Sequence, residues 1–242
     1  MPPLTVQQLS DTPMKTKLLR LVPVLPLLFA GCAHRGDSGW ITLFPDDGVP
    51  AGWVVRNWAD VKDPTPQPVV WEVKDGILHG GEPRGSWLLS DREYGDFVIE
   101  FEFKLGERGN SGLALRTPMA GDPAFDAIEL QMADFRYNTE AKDSELTGGI
   151  YRAIAPIKQV YRPTEWNRYR VELRGPSLKA WLNGELIQDV NLDQATADVK
   201  RHNGTDAVPL SQRPRRGHIG FQELSRDGAS VMIRGARIRE LK

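Results

Sequence analysis

Cysteine is almost missing: Cys32 is the only one in 242 residues, so the chain can close no internal disulfide. An excess of charge of either sign is missing too, with 31 Lys and Arg against 32 Asp and Glu and a formal net charge of -1. That balance argues against partners held by field alone, and nucleic acid is not an expected partner. The apolar run near the N-terminus falls short of the roughly 20 residues a membrane-spanning helix needs. Three chemical signatures are also lacking: a cysteine–histidine metal cluster, a phosphate-cradling glycine motif and a serine nucleophile elbow. Aromatics amount to only 8%, yet Trp accounts for 7 of them and offers flat apolar faces to a ligand or to the core. Glycine (23) and proline (18) are plentiful, which suits many turns between short strands.

What is present begins with an export signal. Lys15, Lys17 and Arg20 flank the uncharged apolar run Leu21 to Ala30, which ends in Phe29-Ala30-Gly31-Cys32. A basic flank, a short apolar run and small residues before a cleavage point make a secretory signal. The end of this segment resembles a bacterial lipobox, in which the cysteine becomes the lipidated first residue; a plain signal with a chance cysteine is the other reading. The expectation is a signal peptide over residues 1–31, a polar tether over 32–38 and one domain over 39–242. The protein would then be extracytoplasmic and bound to a membrane through lipid on Cys32. Ala33, rather than Asp, after the cysteine resembles outer-membrane sorting.

Beyond the tether, apolar and polar residues alternate with a period of two, the mark of strands with one buried face. The clearest case is residues 97–104: Phe97, Ile99, Phe101 and Phe103 share one face, and Glu100, Glu102 and Lys104 the other. Further strands are expected at Trp71–Val73, Ile77–His79, Ser86–Leu89, Ser111–Arg116, Ala127–Met132, Asn167–Arg174, Ser177–Leu182, Glu185–Val190, Gly217–Gln222 and Ala229–Glu240. Asp75-Gly76 and Asn183-Gly184 are hairpin signals, since both central residues of the tightest turns take positive φ. Two long irregular stretches, 133–164 and 191–214, interrupt the strands; loops of this size are often functional. With no long helical pattern, this is an all-β, two-sheet sandwich.

The order of several short motifs is similar to that of the DUF1080 family, the 3-keto-disaccharide hydrolase domain. They include Trp40 to Phe44, Trp71 to Leu78, Tyr94-Gly-Asp-Phe97, Gly109-Asn-Ser-Gly112, Ile128-Glu-Leu-Gln131, Thr147 to Tyr151, Trp181-Leu-Asn-Gly184 and Gly217 to Gln222. The resemblance covers most of the chain after the tether and implies a concanavalin A-like jelly roll. It also implies action on glycosides or disaccharides oxidised at C3, as a hydrolase or a lyase/hydratase. A ketone at C3 acidifies the C2 proton, so the glycosidic bond can leave by elimination and water can add afterwards. That chemistry needs a base near C2, a donor for the enolate oxygen and an acid at the leaving group. The resemblance allows a divalent metal for the second task, but assigns no metal ligands here.

Candidate site residues follow from strand parity together with this resemblance. Glu102, Glu129 and Arg116 are the catalytic candidates. Gln131, Asp134, Tyr151, Trp181 and Gln222 are the candidates for substrate binding. Several have a bland alternative. Glu102 and Glu129 suit the solvated outside of a sandwich as well as a groove, Arg116 suits a structural ion pair, and Trp181 suits core packing. His79 and His218 read as structural or exposed histidines. Leu224 stands where the resemblance leads one to expect histidine, and the neighbouring Glu223 faces the opposite way in a strand. A carbohydrate-binding lipoprotein without chemistry is therefore the alternative function, and a structural module of the envelope the third.

Overall fold

The computed structural model describes residues 39–196 and 198–242. The expected signal segment, the tether and Cys32 lie outside them. Chain order gives β1 (Ile41–Thr42), β2 (Trp53–Asn57), β3 (Val70–Lys74), β4 (Ile77–Glu82), β5 (Ser86–Tyr94), β6 (Phe97–Lys104) and β7 (Asn110–Thr117). A single helical turn, α1 (Pro123–Asp126), precedes β8 (Ile128–Ala133), β9 (Asn167–Arg174), β10 (Ser177–Leu182), β11 (Glu185–Asn191), β12 (Gly217–Glu223) and β13 (Met232–Glu240).

The strands form two antiparallel sheets of a jelly-roll sandwich. One runs β11-β10-β9-β6-β13-β4-β3, with β1 added on β13; the other runs β2-β5-β12-β7-β8. Alternation decides which side chains meet between them. Phe97, Ile99, Phe101 and Phe103 are at most 2% exposed and point from β6 into the core. Phe101 meets Phe221 of the facing sheet edge-on, with ring centroids 5.2 Å apart, and Tyr169 at 5.6 Å. Truncating such a ring costs about 3–5 kcal/mol, because the cavity left behind cannot collapse fully.

Both expected hairpins form, with positive φ at Asp75 (52°) and Gly76 (71°) and at Asn183 (53°) and Gly184 (86°). The expected strands appear with small shifts, and β5 continues five residues past Leu89 to Tyr94. Sequence reading missed β1, β2 and α1. All five residues of β2 are half-buried, so its two faces do not contrast. In α1, Asp122 caps the turn by accepting a hydrogen bond from the Ala124 N–H (3.0 Å), with Pro123 opening the helix.

Candidate active site

The five-stranded sheet turns its outer face toward a cleft of about 560 Å³. Parity decides what the floor presents. Ile128, Leu130 and Met132 of β8 belong to the core, so Glu129 and Gln131 face out; Asn110 of β7 and Gln222 of β12 join them. Trp58, Tyr137, Tyr151 and His202 stand around the opening. At the base a recess of about 30 Å³ brings Asp122 and Gln222 beside Glu129.

Glu129 is the unusual group. It is 2% exposed, and its Oε1 has no hydrogen-bond partner. Burial, reinforced by the negative charge of Asp122, pushes its pKa well above the ordinary 4.5, while Arg213 acts in the opposite sense. Its carboxyl rests on the bare backbone of the neighbouring strand: a Cβ built on Gly112 would stand 2.0 Å from Oε1. Asp122 is itself raised to about 6, mainly by burial. Arg213 is tied below by donating to the carbonyls of Ala127 (2.6 Å) and Val208 (2.8 Å). Arg213 acts on both carboxyls and Arg201 on Asp122 as well, but burial outweighs them and favours keeping a proton in the site.

The surrounding groups include both donors and acceptors. The Tyr151 N–H donates to the Glu129 carbonyl (3.0 Å), fixing that loop against β8. Burial, with the Glu129 charge, pushes the Tyr151 phenol up, so it keeps its proton. The His202 ring lies edge-on to Phe125 at 5.2 Å. Burial and the Arg152 charge lower its pKa, favouring a neutral imidazole. Asn110 adds an unpartnered buried Oδ1.

Of the expected site residues, Glu129, Gln131, Asp134, Tyr151 and Gln222 line the cleft or its recess. Within that group Asp134 is already occupied. Its carboxylate accepts from Arg136 Nε (2.7 Å), Arg136 Nη2 (2.8 Å) and the Tyr161 hydroxyl (3.2 Å), so it braces the wall.

The structure separates three others from Glu129. Glu102 points out from the eight-stranded sheet, on the opposite surface of the sandwich, and accepts from Arg234 Nε at 2.7 Å. The expected grouping of Glu102 and Glu129 around one sugar therefore fails, because β6 and β8 belong to different sheets. Arg116 is 0% exposed and donates to the carbonyls of Gly95 and Gly175 (both 2.8 Å) and to Asp96 Oδ1 (3.0 Å). It holds loops together and has no free face for substrate. Trp181 lies on the outside of β10, packed against the Arg170 guanidinium, and does not floor the cleft.

Glu223 faces away from Gln222, as strand alternation requires, and accepts from the N–H groups of Ser225 (2.6 Å) and Val231 (2.8 Å). His218 is buried, its Nδ1 2.7 Å from the Ser90 carbonyl. Leu224 borders the cleft. Trp58, Asn110, Asp122 and His202 were not anticipated. The Asp-Pro pair at 122–123 is a helix-start signal that could have marked the first acid of the recess, whereas nothing in the alternation marks His202. Among the described residues, no group of three or more His, Cys, Asp and Glu is arranged to hold a metal ion. No step below passes through a metal ion.

A sheet face with a buried, unpartnered acid and a ring of hydrogen-bonding side chains is an arrangement suited to carbohydrate. The chain belongs to the family of 3-keto-alpha-glucoside-1,2-lyase-like domains, whose sequence model matches residues 39–239. It is 24% identical over 236 residues to a 3-keto-disaccharide hydrolase of Bacteroides thetaiotaomicron, a match covering 84% of this chain and 79% of that protein. A crystal structure of a candidate glycosyl hydrolase from Parabacteroides distasonis superposes with a TM-score of 0.68 at 25% identity, covering 84% of this chain and 99% of the other. A second from the same organism gives 0.65 at 23% identity, covering 84% and 95%, and supports the fold alone.

Proposed function

We propose that the cleft cleaves glycosides or disaccharides of a 3-oxidised sugar by elimination across C1–C2, followed by hydration. The observation that carries this reading is Glu129, a buried carboxyl with an unpartnered oxygen, in a small recess that shares Asn110, Gln131, Tyr151 and His202 with a sugar-sized cleft. A carboxylate whose pKa is raised is a stronger base than one free in water, and a base near C2 is what the reaction needs first. Glu129 takes the C2 proton, the electrons move toward the C3 ketone, and the C1–O bond breaks. The Tyr151 phenol donates a hydrogen bond to the developing enolate oxygen. Asp122 in its protonated form, favoured by its raised pKa, gives a proton to the leaving oxygen. Water then adds at C1 and a proton at C2, giving the free 3-keto sugar.

The direct test offers the full-length protein a 3-keto-glucoside in deuterated water and follows aglycone release together with deuterium entry at C2. Turnover with C2 exchange, lost in Glu129→Gln, is expected. Saturable binding without turnover would replace this reading by a non-catalytic sugar-binding protein. We further propose export and lipidation at Cys32, supported by the basic flank, short apolar run and small residues before it. Fatty-acid labelling that persists in Cys32→Ser would overturn the lipidation.

A further inference from the structure

The outer face of the eight-stranded sheet carries an arrangement that the cleft does not use. Strand register aligns Trp181, Arg170, Glu100 and Arg237 as successive cross-strand partners on β10, β9, β6 and β13. The adjacent row is Arg168, Glu102 and Arg234. Glu100 accepts from Arg170 Nη1 (2.6 Å), Arg237 Nη2 (2.6 Å) and Arg168 Nη2 (3.1 Å). Its side chain is only 9% exposed, whereas those of Arg168, Arg170 and Arg237 are 58%, 35% and 46% exposed. One sunken carboxylate thus orients three guanidiniums that all stay partly exposed. Glu172 offers Arg170 only a long second contact of 3.5 Å. The result is a local cationic surplus on a chain whose net charge is -1.

Aromatic faces accompany these cations. Trp181 packs against Arg170 (5.6 Å to the ring centroid), Trp40 against Arg237 (4.5 Å) and Trp166 against Arg234 (4.0 Å). Two hollows adjoin Arg168: one of about 460 Å³ is lined by Glu100, Glu102 and Arg237, and one of about 480 Å³, free of carboxylates, by Arg170 and Trp181. Guanidinium forks match the geometry of carboxylates and sulfates, and indole faces stack on pyranose rings. The three indoles are half-buried beside their arginines rather than projecting, which suits stacking better than insertion into a bilayer.

We propose that this face binds an acidic polysaccharide of the uronate type, with carboxylates meeting Arg168, Arg170 and Arg237 and a sugar ring lying on Trp181. The site is separate from the cleft and does not depend on the reaction proposed for it.

Affinity electrophoresis of the full-length protein through gels containing polygalacturonate or neutral dextran tests the idea, with sedimentation on phosphatidylglycerol vesicles as a parallel arm. Polygalacturonate should retard the protein, less so as salt rises, while dextran and vesicles should have little effect. Arg168→Glu with Arg170→Glu should weaken retardation at least tenfold, and Trp181→Ala should weaken it with no charge change. Arg216→Glu, an exposed arginine paired with Glu93 elsewhere, should leave it intact. Glu129→Gln should also leave it intact, so failure of the cleft chemistry would not touch this proposal. No retardation, equal retardation of the double variant and Arg216→Glu, or binding to vesicles in place of polygalacturonate would each overturn it.

Discussion

The two outer faces of the sandwich present glutamates from the same strand alternation, yet the environments are opposite. On the eight-stranded sheet Glu100 is met by three arginines. Burial works against its ionisation, but hydrogen bonds from Arg237, Arg170 and Arg168 outweigh that and hold its pKa below the ordinary 4.5. On the five-stranded sheet Glu129 is more deeply enclosed, one oxygen has no donor, and its pKa moves up. A carboxylate surrounded by donors is fixed in one charge state and builds structure. One left without donors is free to exchange a proton. Partnering, more than burial alone, separates the two roles.

Four substitutions test that contrast. Glu129→Gln has the largest expected effect, a loss of about 10³-fold in turnover of a 3-keto-glycoside, with the fold retained. Because the folded pKa of Glu129 is raised, its ionisation opposes folding. Wild type and variant should match in stability below the ordinary carboxylate range, and the variant should gain as pH rises above 4.5. Denaturant titrations at several pH values read this directly, and a gap that shrinks with rising pH would refute it. Arg116→Ala should cost about 3–5 kcal/mol, since it strips a buried cation from Asp96 and two carbonyls. Glu100→Gln should lose about 2 kcal/mol at neutral pH, intermediate between exposed and buried pairs. Its sign is reversed: the folded pKa is lowered, so the wild-type advantage is present above 4.5 and disappears as pH falls. Glu102→Gln is the smallest, under about 1 kcal/mol for a half-exposed pair; a large fall in turnover would return Glu102 to the active site.

Much of the fold was legible because its signals are local. The β6 alternation and the Asn183-Gly184 turn each need only a few neighbouring residues. The cleft was legible in part for the same reason: parity on β8 separates Glu129 and Gln131 from Leu130. Parity says which side of its own sheet a residue takes, but not which sheet a strand joins. Glu102 and Glu129 therefore look alike in sequence and end on opposite surfaces. Arg116 misled for another reason. It has outward parity at a strand end but a φ of 55°, and its guanidinium turns into loops that come from distant chain positions. Asp122 and His202 reach the recess through loop geometry, which alternation does not encode.

The contact between Glu129 and Gly112 has a consequence for substrate choice. The depth of the recess is set by main chain, the least yielding part of a β-sheet, with no side chain at position 112 to trim or extend. Even a methyl group there would displace the acid, so the floor cannot be remodelled by small steps without moving Glu129. Under the proposed reaction, discrimination among sugars therefore falls to the rim, where Trp58, Tyr137 and His202 sit outside the strands and can vary without moving the Glu129 carboxyl.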